Sequence, residues 1–120
     1  MSDHDGPRVV TENLYAVLTT PAVDREEMMK SLPDHLDYQV SLEERGIMFA
    51  AGPLFDQDDA PPRAGLIIIR ANSFAEAEEI AEADPMHARG LRTYTLDKWH
   101  INEGSLTLKV QFAKRSTTLD

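Results

Sequence analysis

The chain has 120 residues, no cysteine and a formal net charge of −9. A chain of this length is one domain, since domains typically span about 100–150 residues. Without cysteine it can form no disulfide scaffold, no thiolate metal site and no cysteine nucleophile. The negative charge argues against binding the nucleic-acid backbone, because the phosphates would meet a field of their own sign.

The ends of the chain give a first prediction of location and domain limits. No stretch approaches the roughly 20 apolar residues of a membrane span, and residues 1–12 lack the basic start and apolar run of a signal peptide. We therefore predict a cytoplasmic protein that contacts neither membrane nor nucleic acid. Residues 1–12 are predicted to be a flexible lead-in, 13–113 a single domain and 114–120 a tail.

The first part of the chain predicts a strand, two helices and a second strand. Residues 14–20 are rich in β-favouring side chains. Apolar residues then recur every three or four positions, which is typical of an amphipathic helix, and Pro33 interrupts that stretch. The predicted elements are a strand over 14–20, helices over 24–30 and 33–45, and a strand over 47–52.

The second part predicts a strand, a helix and two further strands. The β-branched run Ile67–Ile69 indicates a strand buried on both faces. Asp84-Pro85 ends the helix, so that a carboxylate meets the unfavourable end of the helix dipole. The predicted elements are a loop over 53–64, a strand over 65–71, a helix over 73–82, a strand over 91–101 and a half-exposed fifth strand over 105–112.

Local signals mark three ends that belong to two of these helices. Ser31 with Asp34, and Ser73 with Glu76, have the spacing of a capping box at a helix N-terminus. Gly46 supplies the left-handed residue that ends the second helix.

The order β-α-β-β-α-β with an extra C-terminal strand predicts a ferredoxin-like α+β fold. Both helices would cover one face of an antiparallel sheet and leave the other face bare. An exposed apolar face calls for a partner, so a homodimer that packs sheet against sheet, or a higher homo-oligomer, is predicted.

His35 and Asp84 are the first candidates for chemistry. His35 lies at the edge of the apolar stripe of its helix. It is either a boundary histidine bonded to a carbonyl, which the sequence alone favours, or a general acid or base. Asp84 is either a helix breaker or a carboxylate that orients an imidazole. In a split βαβ fold the start of one helix can approach the end of the other, and we hypothesise that the two side chains pair.

Other polar residues give weaker signals. His87 is predicted to lie in an exposed loop, and His100 is predicted to be a strand residue facing either the barrel interior or the surface. The histidines show no i, i+4 pair, so no metal site is predicted. The acidic cluster between residues 56 and 59 is predicted to be a solvated loop. Gly52-Pro53 presents backbone at a strand end, either as a turn or beside a ligand.

The motifs His35-Leu-Asp-Tyr, Ala51-Gly-Pro, Ser73-Phe-Ala-Glu-Ala-Glu and Ala83-Asp-Pro, with Trp99 ending the fourth strand, resemble the YciI-like (YCII-related) family. The resemblance covers about residues 14–101. It implies a dimeric α+β barrel, in which ferredoxin-like subunits pair through their sheets. This sequence departs from a short domain of that family in its acidic lead-in and in the extension from Glu103 to Phe112.

The resemblance also implies a site. The family's proposed active-site pair carries onto His35 and Asp84, and its glycine-proline element carries onto Gly52 and Pro53 as pocket residues. The predicted substrate-binding set is completed by two further residues, Tyr15 and Met86. One branch of the family removes HCl from chlorinated hydroxyquinones.

Three functions are considered. The first is an enzyme without cofactor, of lyase, dehydrohalogenase or isomerase type, that uses the His–Asp pair on a small hydroxylated or carbonyl substrate. The second is a non-catalytic dimeric module that binds a small metabolite in the same pocket. The third is an interaction domain in which the fifth strand builds larger assemblies.

Overall fold

The computed structural model describes residues 13–113 and 116–119, and the predicted lead-in over 1–12 lies outside the described residues. Four strands form one antiparallel sheet in the order β2-β3-β1-β4, with the connections of a βαββαβ unit. The predicted ferredoxin-like α+β fold is thereby confirmed. The elements are β1 (Leu14–Pro21), α1 (Arg25–Met29), α2 (Leu32–Glu44), β2 (Met48–Phe55), β3 (Pro62–Arg70), α3 (Phe74–Glu82), α4 (Pro85–Ala88), β4 (Arg92–Trp99), β5 (Leu108–Gln111) and β6 (Ser116–Leu119).

The core lies between the sheet and the helices. Alternate residues of the two central strands, β1 and β3, face the helices and pack against Ala77 and Ala81 of α3. The strand residues of this cluster are Tyr15, Val17, Ile67 and Ile69. Small alanines at the contact let α3 approach the sheet closely, and this holds the C-terminal end of α3 over the middle of β1.

The opposite face of the sheet is also apolar. It carries Leu14 and Ile68, which are both buried, and the paired residues Leu18 and Leu66, which are half-buried. All three consecutive isoleucines of β3 are buried, which confirms the prediction of a strand covered on both faces. The bare area predicted for this face is therefore reduced, although Trp99 of β4, which pairs with Leu14, is still 41% exposed.

Strands β2 and β3 run further than predicted into the proline-rich stretch. The predicted loop over 53–64 shortens to 56–61, because Pro53 lies inside β2 and Pro62 begins β3. Proline cannot donate to a strand ladder, but β2 is at the edge of the sheet, where an unpaired residue is tolerated. The sequence rule that proline ends a strand does not hold at an edge.

The C-terminal extension forms a separate hairpin. The predicted fifth strand over 105–112 is shorter, at Leu108–Gln111, and it pairs with β6, which lies in the predicted tail. The two strands make their own two-stranded sheet. The side chains of Leu106, Leu108, Val110 and Phe112 are 50–87% exposed.

One predicted capping box is confirmed and the other is wrong. The hydroxyl of Ser73 accepts the N–H of Glu76 at 3.1 Å, as predicted for the start of α3. Ser31 makes no side-chain cap on α2. Instead its hydroxyl and the carboxylate of Asp34 each accept a hydrogen bond from Arg89, both at 2.8 Å. The guanidinium of Arg89, which directly follows α4, therefore takes the place of the predicted capping box and connects the end of α4 to the start of α2.

Two further features complete the description of the helices. Gly46 has a φ of 73° and follows α2, as its predicted role as a helix stop requires. Within the described ranges, no helix combines the length and the apolar character that crossing a bilayer would need.

Candidate functional site

The side chains of His35 and Asp84, 49 positions apart in the sequence, are in contact. His35 lies in the first turn of α2, and Asp84 lies between α3 and α4. Nδ1 of His35 is 2.9 Å from both carboxylate oxygens of Asp84. The contact forms because α4 packs against α2, where Arg89 also holds it.

Asp84 lies at the start of a helix as well as after the end of one. Its carboxylate accepts the backbone N–H of Met86 at 2.9 Å and thus caps α4, with Pro85 in the first turn. The carboxylate follows the C-terminal end of α3, as predicted, and it also caps the start of α4, which was not predicted. The four-residue helix α4 was hidden in the sequence, because a single turn has no detectable periodicity.

A third donor completes the environment of the carboxylate. Nε2 of Gln39 donates to Asp84 at 3.1 Å. Gln39 is four residues after His35, one turn along the same face of α2, so this spacing could have identified it from the sequence. The carboxylate of Asp84 thus accepts hydrogen bonds from a histidine, an amide side chain and a backbone N–H.

These contacts determine the charge of Asp84. Its burial alone would raise the pKa of the carboxyl group, because only 2% of the residue is exposed. The hydrogen bonds from His35 and from the N–H of Met86, with the favourable electrostatic interaction between Asp84 and the imidazoles of His35 and His87, outweigh that effect and hold the pKa below its usual value. An ionised carboxylate can only accept hydrogen bonds, so Nδ1 of His35 carries the proton.

The pair has one protected member and one accessible member. The side chain of Asp84 is 3% exposed and that of His35 is 22% exposed. Within the part of the chain that the structure describes, Nε2 of His35 has no hydrogen-bond partner. The arrangement therefore leaves the basic nitrogen of an oriented imidazole open to an incoming molecule.

A small cleft lies beside Asp84, between α2, α3 and the sheet. Its empty volume is about 220 Å³. Four polar residues contribute to its lining: Tyr38, Gln39, Asp84 and His87. The remaining lining residues are apolar, namely Val17, Leu42, Ile67, Ile69, Ile80 and Ala81. The 220 Å³ includes open solvent and lies below the roughly 300–1,000 Å³ of ligand pockets, and His35 is not among the lining residues.

Tyr38 forms one polar corner of the cleft. Its hydroxyl donates to the carbonyl of Ile80 at 2.6 Å, which links α2 to α3 across the cleft. Burial, and the nearby charge of Asp84, raise the pKa of Tyr38, although Arg45 opposes the shift. Tyr38 therefore stays a neutral hydrogen-bonding group at ordinary pH.

His87 occupies a different environment from the one predicted. It is only 9% exposed, in α4, and the prediction of an exposed loop residue is wrong. Nδ1 of its ring lies 2.7 Å from the carbonyl of Ala81, and Nε2 lies 2.8 Å from the hydroxyl of Thr19. No local sequence signal predicts the bond to Thr19, because the two residues are 68 positions apart.

The other predicted site residues lie elsewhere. Tyr15 is 3% exposed in the core, and Met86 is 3% exposed in a second cluster with Met28 and Leu91. Gly52 and Pro53 are exposed on the edge strand β2. The structure does not bring any of the four predicted substrate-binding side chains to the cleft, and their role stays a prediction.

The remaining polar candidates are on the surface. His100 follows the end of β4 and is exposed. The acidic cluster is exposed as predicted, and its first member, Asp56, pairs with Arg63 at 2.8 Å. Over residues 13–113, no group of three or more His, Asp or Glu side chains is arranged to hold a metal ion.

Comparison with known proteins gives a family match and a fold match. The family model of the YCII-related domain matches residues 13–100. Among solved structures, the chain is similar to the 5-chloro-2-hydroxyhydroquinone dehydrochlorinase of Burkholderia phenoliruptrix AC1100 in complex with 2,5-dihydroxybenzoquinone. The identity is 18% and the TM-score 0.55, over 74% of this chain and 95% of that one. At this identity the similarity supports the fold alone. No curated protein matches the chain.

Proposed function

The chain belongs to the YCII-related family, and from that premise we propose that it is an acid–base enzyme with His35 as its proton-transferring group. The substrate is a small hydroxylated or carbonyl compound, and the reaction is an elimination or an isomerisation in the cytoplasm. Asp84 acts through His35, because it fixes the ring and the tautomer and balances the positive charge of the imidazolium.

The observation that carries this proposal is the geometry of the pair. Nδ1 of His35 lies 2.9 Å from both oxygens of a buried carboxylate, while the ring itself is 22% exposed. A histidine at the core boundary that served only a structural role could bond to a backbone carbonyl. His35 instead bonds to the buried, ionised carboxylate of Asp84, which two further groups, Gln39 and the N–H of Met86, also hold in place. The cleft beside Asp84 places apolar side chains next to the carboxylate of the pair, although His35 itself does not line it.

The chemistry that one base can perform limits the reaction class. In an elimination, Nε2 of His35 takes a proton from the substrate, and the leaving group departs with the electron pair of its own bond. In an isomerisation, the same nitrogen returns the proton to another atom. Both reactions balance without an external oxidant. The solved relative named above, a dehydrochlorinase in complex with a hydroxylated quinone, is consistent in kind with the first of them.

Turnover of a chlorinated hydroquinone tests the proposal. The first probe is 5-chloro-2-hydroxyhydroquinone, within a panel of hydroxyquinones and lactones, with chloride release and substrate absorbance as readouts. We expect His35→Gln to lower kcat/KM by roughly 10²–10⁴-fold, the usual contribution of general acid–base catalysis. The control is His100→Gln, which removes an exposed histidine outside the site.

The same assay separates the enzyme from a non-catalytic module. Turnover that rises with pH in the native protein, and loses that rise in His35→Gln, supports a base that must be unprotonated. Full activity in His35→Gln would exclude the mechanism. Tight binding of panel members with no product formed would instead favour a metabolite-binding module that uses the same cleft.

A further inference from the structure

We propose that the buried residues His87 and Thr19, with the half-buried Arg92, form a relay that positions Asp84, and through it the imidazole of His35. His87 and Thr19 are 9% and 5% exposed, and none of the three residues contacts His35. They are positioning residues, and their importance for catalysis rests on the proposed function, although their effect on the geometry does not.

The relay has a defined direction. Nε of Arg92 donates to the hydroxyl oxygen of Thr19 at 2.9 Å, and Nη2 of Arg92 donates to the carbonyl of Thr19, also at 2.9 Å. Because the hydroxyl oxygen accepts from Arg92, its own hydrogen is available for Nε2 of His87 at 2.8 Å. Arginine has only donors, so the chain of donors runs from Arg92 through Thr19 to His87.

The other ring nitrogen of His87 closes the turn that holds Asp84. A carbonyl can only accept, so Nδ1 of His87 must donate to the oxygen of Ala81 at 2.7 Å. The same oxygen accepts the backbone N–H of Asp84 at 3.3 Å. The imidazole thereby joins the two ends of the segment 81–87, and Asp84 lies in the middle of this segment.

The relay also fixes that turn to the sheet. Thr19 belongs to β1 and Arg92 to β4, two neighbouring strands, and the ring of Tyr94 packs on the His87 ring with centroids 4.6 Å apart. The hydroxyl of Tyr94 donates in turn to the carboxylate of Glu82 in α3 at 2.8 Å. Burial, together with this hydrogen bond, raises the pKa of Tyr94 to about 12. These contacts therefore fix the turn that holds Asp84 to two strands of the sheet.

The test replaces Thr19 with valine, which has the same shape but lacks the hydroxyl. The readouts are the solvent exchange of the Nδ1 proton of His35 and the carboxyl titration of Asp84, measured by NMR without substrate. In Thr19→Val we expect that proton to exchange about tenfold faster, as the loss of roughly one hydrogen bond allows. We also expect the pKa of Asp84 to move up towards its usual value.

Two variants serve as controls. Thr20→Val removes the neighbouring hydroxyl, which contacts Thr93 at 3.3 Å on the other face of the sheet, and should change neither readout. Thr19→Ser restores a hydroxyl and should restore both. If Thr19→Val does not fold, Arg92→Lys, which keeps the charge but loses the Nε donor, is measured in its place.

Two results would overturn the proposal. One is a folded Thr19→Val protein in which the His87 signals move while those of His35 and Asp84 do not. The other is Arg92→Lys with both readouts unchanged. Since no substrate is involved, the failure of every substrate in the panel would count against the proposed enzyme and leave the relay untouched.

Discussion

Asp84 performs two tasks with one carboxylate. It orients His35 and it caps α4, and a third donor, Gln39, holds it between them. Three hydrogen bonds to a buried anion compensate for its desolvation, which is why the pKa of the carboxyl group ends below its usual value although burial alone would raise it. Site geometry and local folding therefore depend on the same charge.

Asp84→Asn is expected to destabilise the protein in a pH-dependent way. The folded state lowers the pKa of Asp84, so its contribution to stability is complete above the unfolded value of about 4 and is lost as the pH falls through the folded value. At neutral pH we expect a loss of about 1–3 kcal/mol in the free energy of unfolding, because the amide satisfies the donors less well. Urea denaturation at several pH values measures this difference.

The difference between the native protein and Asp84→Asn should shrink at acid pH. A loss of stability that is the same at pH 3 and pH 7 would contradict the assigned charge. The exposed residue Asp58 offers a matched control, since Asp58→Asn removes a carboxylate of the solvated loop and should change stability little at either pH.

At this scale the sequence could suggest the pair but not its surroundings. His35 and Asp84 stand out through local motifs and a family resemblance, and their contact needs only that two helices lie side by side. The bond from His87 to Thr19 joins residues 68 positions apart, and the bonds from Arg92 to Thr19 span 73. Hydrogen bonds at such separations leave no periodicity or spacing in the sequence, and they become visible only in three dimensions.

Among the elements, those with a recognisable pattern were predictable, including the five-residue α1, whereas the single-turn α4 was not. The four strands of the sheet and helices α2 and α3 follow from alternation, helical spacing and breakers. Helix α4 has four residues, too few for a pattern, although Asp84-Pro85 has the cap-and-proline order of a helix start. The error over Ser31 has a different cause, because a tertiary partner, Arg89, took both side chains of the expected box.

The cap of α3 gives a prediction at the scale of one element. Ser73 accepts the N–H of Glu76, and the Glu76 carboxylate accepts the N–H of Asn72 at 2.7 Å. Ser73→Ala leaves the Glu76 N–H without its partner, so we expect the free energy of unfolding to fall by about 1 kcal/mol. Ser73→Asp keeps an acceptor and should stay within a few tenths of the native value. Equal stability of all three proteins in chemical denaturation would contradict the cap.

For the molecule as a whole, we propose that the chain forms a homodimer. The sheet face opposite the helices is apolar, and the hairpin adds four large apolar side chains that are 50–87% exposed. Exposed apolar side chains of this number are typical of surfaces that bind a partner. Light scattering over a tenfold range of protein concentration should give the mass of two chains, and a clean monomer throughout would contradict the proposal.

The separate hairpin has a consequence for the history of the gene. Its described strands pair only with each other, so no ladder of the four-stranded sheet depends on them. A coding sequence that stops after Gly104 would still encode every strand and helix of the βαββαβ unit. A gene can therefore gain, lose or exchange the segment that encodes this hairpin by recombination, while the sequence of the four-stranded domain stays the same.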